Sequence, residues 1–220
     1  TLAAMIDHIN THKRCHIITI EDPIEYLHHH KNSIVIQREV GADPESDTRS
    51  FATALVHALR QDPNVICIGE MRDLDTFAIA LTAAETGHLV LGTIHTPNTI
   101  HTISRIVDVF PPEQQQQIRI QLANCLEAVI SQLLLPKANE DGLVLAAEVM
   151  VCTPAIRRMI RDNKLEQIMY AIQTGAEYQM RTMDASLLEL YEAGIIHYET
   201  AISRVSDPTR FRSTVQEKPD

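Results

Sequence analysis

The chain has 220 residues, 45% of them hydrophobic but only 4% aromatic and none of them Trp, so its core has to be built from aliphatic side chains. That apolar supply excludes an extensively disordered chain and suffices for one large domain, or one domain with a small appendage. A formal net charge of −10 argues against nucleic acid as a partner, and no apolar run is long enough to insert in a bilayer.

In chain order, Leu2, Met5, Ile6 and Ile9 of "TLAAMIDHIN" fall at i, i+3, i+4 and i+7 and predict an amphipathic helix at the very start. "HIITI" (16–20) is strand-like, "SFATALVHALRQ" (50–61) helical, "VICIG" (65–69) a buried strand and "LDTFAIALTAAETG" (74–87) a helix with Gly87 as its C-terminal stop. "HLVLGTIH" (88–95) is a third strand. "NTIHTISRIVDVF" (98–110) and "PPEQQQQIRIQLANCLEAVISQLL" (111–134) have helical period, and the four Gln of the second read as a solvated face. "VLAAEVM" (144–150) is a fourth strand. Apolar strands alternating with helices predict an α/β fold with a mainly parallel sheet covered on both faces.

The character changes near residue 153. "TPAIRRMIRD" opens with Thr153 as N-cap and Pro154 at the first helical position. "KLEQIMYAIQTG" and "TMDASLLELYEAG" each end in a Gly stop, "HYETAISRV" is a further short helix, and "STVQEKPD" (213–220) reads as a frayed tail. The expected division is therefore an α/β core over 1–152 and a helical segment over 153–220.

Polar residues cluster where the strands end. "EDPIE" follows the first strand with Glu21, Asp22 and Glu25; "EMRD" follows the second with Glu70, Arg72 and Asp73; His95 and Thr96 follow the third. Open parallel sheets bind ligands beyond the carboxyl ends of their strands. An acid closing an apolar strand, as in "VICIGE", is what holding Mg²⁺ or orienting an attacking water requires, and a strand-end His or Thr can sense a γ-phosphate. Cys15, Cys67, Cys125 and Cys152 are far apart and contain no C-x-x-C, so they are expected as free thiols rather than a zinc site. "HHH" (28–30) is expected as a solvated hairpin tip, because adjacent residues of an extended segment point to opposite faces.

"HIITIEDPIEY", "REVG", "DPNVICIGEMRDLDT", "AAETGHLVLGTIHT" and "RIVDVFPPEQQ" resemble, in order and spacing, the signatures of the secretion ATPase superfamily, which powers type II and type IV secretion and type IV pili. "TPAIRRMIRD" is similar to the A-I-R-N-L-I-R-E stretch of its pilus-retraction class, and the likeness runs from Thr1 to about Phe211. The resemblance implies a RecA-like P-loop NTPase core that uses ATP and Mg²⁺. Glu25 would be an acid facing the nucleotide, with Glu21 and Asp22 supporting its loop. Glu70 would be the Walker-B carboxylate on Mg²⁺, directly or through water. His88 and His95, with Thr96, would contact or couple the γ-phosphate. Ala155, Ile156, Arg157, Ile160 and Arg161 would form a segment needed for retraction rather than hydrolysis; read from the residues alone, Arg157, Arg158 and Arg161 are a basic stripe on a solvated face.

The resemblance further implies a homohexamer, cytoplasmic and peripheral to the inner membrane at the pilus base, working on a platform protein and beside other pilus motor ATPases. The alternatives are a pilus-assembly or type II secretion ATPase, or a non-catalytic ring-interface module. The first usually carries a four-cysteine zinc module, and "SQLLLPKANEDGLVL" has no Cys there. Three departures stand out. "VGADPESDTRSF" is about four residues longer than usual for the class and reads as an enlarged loop, "AIRRMIRD" has Arg-Met and Asp for Asn-Leu and Glu, and no G-x-x-x-x-G-K-[ST] occurs anywhere. In this superfamily that loop runs directly into T-L-A-A-M. The chain is therefore expected to be the C-terminal portion of a longer ATPase, inactive alone.

Overall fold

The computed structural model describes residues 1–41, 43, 46–139 and 141–216, with no side-chain account of Gln216. Two compact units emerge: residues 1–95 with 106–125, and residues 96–105 with 126 onward.

The first unit is an all-parallel sheet in the order β2-β1-β3-β4, made by β1 (His16–Glu21), β2 (Ile34–Glu39), β3 (Val65–Ile68) and β4 (Leu89–Gly92). Central β1 and β3 are buried on both sides, which explains why they read as unbroken apolar runs. On one face Ile18, Ile20, Ile66 and Ile68 pack with Ala54, Leu55 and Ala58 of α2 (Phe51–Ala58) and Ala80 and Ala83 of α3 (Leu74–Glu85). On the other, Ile17, Val35, Val65 and Cys67 pack against Ile6 of α1 (Leu2–His12). The expected α/β architecture, covered on both faces, is what forms.

Polar groups set the ends. Ser50 accepts the Thr53 N–H to cap α2, and Asp73 accepts the Thr76 N–H at 2.9 Å to cap α3. Gly87 takes φ +100 after α3, a conformation that spares a side chain the usual clash. Asn10 is fully buried in α1; its Nδ2 donates to His29 O at 2.8 Å and its Oδ1 accepts from Lys31 N at 3.1 Å. This pins the β1–β2 connection to α1. Because β1 and β2 are parallel, residues 28–30 lie on a crossover connection and not at the expected hairpin tip.

In the second unit, β5 (Ala128–Pro136) and β6 (Leu143–Val151) form a separate antiparallel pair. Two expectations are corrected here. The helical pattern over 111–134 stops at Cys125, where α5 (Pro112–Cys125) ends, and 128–136 is a strand. Ile130 and Leu134 fit a helical stripe, but Val129, Ser131 and Leu135 are buried alternately, the period of a strand. "VLAAEVM" is likewise a strand, yet it pairs with β5 and not with the parallel sheet. The two units consequently do not divide at 152/153: β5, β6 and the first part of α4 (Thr99–Asp108) belong with the C-terminal helices.

Those helices are α6 (Pro154–Arg161), α7 (Ile168–Thr174), α8 (Met183–Glu192), α9 (Tyr198–Ile202) and α10 (Pro208–Gln216). Leu187 of α8, Ala201 of α9 and Phe211 of α10 join Leu135 and Ala146 of the strand pair in one core. Tyr191, Tyr198 and Phe211 contribute ring contacts with centroids 5.8–6.1 Å apart. Of the tail expected to fray, 213–216 is the end of α10, while 217–220 lies outside the described residues. Part of the enlarged 41–50 loop, residues 42, 44 and 45, also lies outside them. The described part is tied to β2, since the Glu39 N–H donates to Asp47 Oδ2 at 2.8 Å and Thr48 N–H donates to Glu39 O at 3.2 Å.

Candidate functional site at the carboxyl edge of the parallel sheet

Strand order reverses direction at β1: β2 lies on one side, β3 and β4 on the other. The crevice beyond the carboxyl ends of β1 and β3 is the place where such sheets bind ligands. Gly69 brings those ends together. Its N–H donates to Ile20 O at 2.7 Å, and a Cβ there would sit 3.2 Å from both Glu21 Cα and Ile20 O. Thr93, past the end of β4, donates its hydroxyl proton to Gly69 O and accepts the Met71 N–H through its carbonyl at 3.1 Å. The residues flanking Glu70 are thus fixed from two neighbouring strands.

Glu70 Oε1 accepts from Arg72 Nε and, at 3.1 Å, from His95 Nε2. The Arg72 guanidinium, first by hydrogen bond and then by charge, holds the Glu70 carboxyl below the usual carboxylate range against a smaller opposing effect of burial, with His95 adding to it. The same contact raises Arg72. The Glu70 side chain is 20% exposed, whereas those of Arg72 and His95 are 78% and 79% exposed. A shielded, ionised carboxylate is therefore flanked by two donor groups whose side chains are largely exposed to solvent.

Beside it on β1, Glu21 Oε1 accepts from Thr19 Oγ1 at 2.6 Å and from Gln37 Nε2 at 3.1 Å. Asp22 and Glu25 are exposed on the loop that follows, and Asp22 lies within electrostatic reach of Arg72. The Glu25 carboxylate makes no hydrogen bond or ion pair among the described residues. Glu21, Asp22, Glu70 and His95 therefore share one sheet edge, with Glu25 on the loop leaving it.

Two expected members have local bonding partners of their own. His88 precedes β4, so a strand of four residues at about 3.3 Å each separates it from the carboxyl edge. Its Nδ1 donates to Ala83 O at 3.0 Å, at the end of α3, and it packs as a helix-stop residue. Within one chain it does not face Glu70. Thr96 begins the second unit. Its Oγ1 lies 2.6 Å from Thr102 Oγ1, and Thr102 donates its own proton to Asn98 O at 3.0 Å, so Thr96 must be the donor of the pair. Its proton is committed there. Asp73, read as part of the acidic cluster, is the cap of α3. Burial pushes its carboxyl up, but hydrogen bonds from Thr76 and the local backbone outweigh that and hold it low.

In the second unit, Thr153 caps α6 by accepting the Ile156 N–H at 3.4 Å. Ile156 and Ile160 are fully buried, and Ala155 is exposed. The expected basic stripe is partly tied down: Arg157 pairs with Glu127 at 2.8 Å, and Arg158 lies 3.5 Å from Asp162. Arg161 is exposed at the end of the helix. Sequence reasoning passed over β2 and with it Gln37 and Glu39, whose side chains hold the loop carrying Glu25. The β-branched run Ile34-Val35-Ile36 is a weak strand signal in that stretch.

Comparison with known proteins supplies the family. The profile described as "Type II/IV secretion system protein" matches residues 1–201. The chain is 50% identical over 211 residues to the type IV pilus retraction ATPase PilT of Pseudomonas aeruginosa, covering 96% of this chain and 60% of that protein. It is 49% identical over 207 residues to a twitching motility protein of Neisseria gonorrhoeae, covering 94% and 54%. A crystal structure of the pilus retraction motor PilT with bound ADP superposes with a TM-score of 0.88 at 52% identity, over 97% of this chain and 59% of that one. The chain thus spans 54–60% of the length of these relatives. With a matching profile along nearly all of its length and half of its residues identical to a pilus motor, the chain belongs to the type II/IV secretion ATPase family.

Proposed function

We propose that this chain is the hydrolytic portion of a motor ATPase that retracts type IV pili and drives twitching motility. The observation that carries the reading is the Glu70 carboxylate, ionised and shielded at the end of β3, with Arg72 and His95 on one of its oxygens. A fixed carboxylate of this kind orients and deprotonates a water for in-line attack on a γ-phosphate. Arg72 and His95, both largely exposed, would exchange Glu70 for a phosphate oxygen when nucleotide binds. Glu25, whose carboxylate has no competing partner among the described residues, is the second acid facing the nucleotide, with Glu21 and Asp22 shaping its loop.

Mg²⁺ keeps several waters and takes one or two carboxylates together with phosphate oxygens. The ionised Glu70 fits that donor set through water, and Mg²⁺ bound there would neutralise charge developing on the phosphates. A phosphate-binding loop, which these 220 residues do not contain, would complete the ATP site.

The names of the relatives support retraction, and the TPAIRRMIRD helix is the segment through which Ala155, Ile156, Arg157, Ile160 and Arg161 would serve it. The assembly proposed is a homohexameric ring in the cytoplasm, at the inner-membrane pilus base, acting on a platform protein beside other pilus motor ATPases. Residues 137–142 alone join β5 to β6, leaving no room for the four-cysteine module of the assembly and type II secretion class.

The test is ATP hydrolysis and twitching by the protein in the full length of its relatives. Glu70→Gln is expected to lower kcat by about 100-fold or more and to abolish twitching. Hydrolysis at the parent rate in that variant overturns the reading.

A further inference from the structure

The loop that presents Glu25 leaves β1 at Glu21 and returns to β2. Among residues 22–28, side chains of β2 hold it at three points. Glu39 Oε2 accepts the Ile24 N–H at 3.0 Å, immediately before Glu25. Gln37 Nε2 donates to Tyr26 O at 2.8 Å, immediately after it. Gln37 Oε1 accepts the His28 N–H at 2.7 Å, and its Nε2 also reaches Glu21 Oε1 at 3.1 Å. Both side chains are half-buried and stand two apart on one face of the strand. Every polar atom of the Gln37 amide is in use on this loop.

The register makes the arrangement purposeful. Glu21 lies directly opposite Glu39, and Thr19 opposite Gln37. Two carboxylates facing each other across neighbouring strands repel. Here each is quenched by donors: Thr19 and Gln37 on Glu21, and the Ile24 N–H on Glu39. Beyond that, β2 is itself anchored, since the Glu39 backbone is bonded to Asp47 and Thr48. Among the described residues the carboxylates of Asp22 and Glu25 make no hydrogen bond or ion pair, and of the two only Glu25 lies on the span between the clamped points.

We propose that Gln37 and Glu39 are positioning residues that fix Glu25 for the nucleotide, Glu39 gripping the chain before it and Gln37 after it. The inference rests on the reading of Glu25 as a nucleotide-facing acid. Supporting groups of this kind matter because misplacing a reacting group by about 1 Å can cost on the order of 100-fold in rate.

The experiment compares Gln37→Met, Glu39→Ala, Glu39→Gln and Glu25→Ala in the full-length ATPase, reading kcat and KM for ATP, with amide exchange of residues 24–28 as a second readout. Gln37→Met and Glu39→Ala are expected to lower kcat by about 10- to 100-fold with KM within about threefold, and to speed exchange at Ile24 and His28. Glu39→Gln, which still accepts from Ile24, is expected to restore most of the turnover. Added to Glu25→Ala, neither clamp variant should lower kcat further. An inactive Glu25→Ala beside fully active Gln37→Met and Glu39→Ala overturns the clamp and leaves the function standing, as does a clamp defect that simply multiplies that of Glu25→Ala. Full turnover in Glu25→Ala overturns the assignment of Glu25, and the clamp with it.

Discussion

His95 Nε2 lies 3.1 Å from Glu70 Oε1, the same oxygen that Arg72 Nε reaches from two residues along the chain. One carboxylate oxygen therefore serves two donors supplied by two different strand ends. Arg72 dominates the electrostatics and lowers the Glu70 carboxyl. A depressed folded value stabilises the fold above the ordinary carboxylate range, and that contribution is lost as pH falls through the depressed value. With Arg72 78% exposed, solvent screens the pair and the effect on stability is small. The titration itself is the sharper readout. Carbon-13 NMR of the Glu70 carboxyl is expected to give a midpoint below the usual range, and Arg72→Ala to move it upward. A midpoint unchanged by Arg72→Ala would show that the pair does not form in solution.

Gly69 and Gly92 look alike in sequence, each at the end of an apolar strand, but they face different neighbours. A Cβ on Gly69 would meet backbone atoms of Ile20 and Glu21 at 3.2 Å, which cannot step aside without parting β1 from β3. A Cβ on Gly92 would meet the Met71 terminal methyl at 2.7 Å, the movable end of a flexible side chain. Gly69→Ala is expected to cost about 1–3 kcal/mol, as overpacking does, and to depress turnover by displacing Glu70, while Gly92→Ala costs less. Urea unfolding of the two variants ranks them, and equal destabilisation would refute the argument.

How far the sequence was legible follows from which signals are local. β1 and β3 stand out because a strand buried on both faces leaves an unbroken apolar run, and Thr153 stands out as a cap because Pro154 follows it at the first helical position. The acids of the site were visible because each follows such a run. β2 was not, since its apolar run is only Ile34-Val35-Ile36, with both isoleucines exposed, and Gln37, Arg38 and Glu39 complete the strand. The pairing of β6 with β5 was also hidden. Nothing in "VLAAEVM" tells a parallel from an antiparallel partner, and that choice is made by what covers the strand. His88 and His95 belong to one motif, but β4 runs between them and sets them at opposite ends of a strand.

Glu148 illustrates a role that only packing reveals. It is 1% exposed on β6 and accepts the Thr99 N–H at 3.0 Å, supplying from a distance the acceptor that the first turn of α4 lacks. Glu148→Ala leaves that buried N–H unsatisfied and opens a void, a loss of about 1–3 kcal/mol or more. Glu148→Gln keeps an acceptor and should cost roughly half as much. Chemical denaturation followed in the second unit distinguishes them, and indifference to Glu148→Ala would mean that Thr99 finds another partner.

The TPAIRRMIRD helix separates residues that build it from residues it presents. Ile156 and Ile160 are fully buried one turn apart, so truncating Ile160 to Ala is expected to cost about 2–5 kcal/mol through lost contacts and a cavity. Arg161 is exposed, and Arg161→Ala should leave unfolding within about 0.5 kcal/mol of the parent. If this helix transmits force to a partner, the two substitutions part company: Ile160→Ala lowers stability and hydrolysis together, whereas Arg161→Ala impairs twitching at unchanged ATP turnover. Arg157 stands between these cases, because its pairing with Glu127 at 2.8 Å ties the helix to the segment before β5. Arg157→Ala should therefore lose twitching with a stability change of about 1 kcal/mol or less. Normal twitching in both arginine variants would remove these side chains from the retraction mechanism and leave α6 as packing alone.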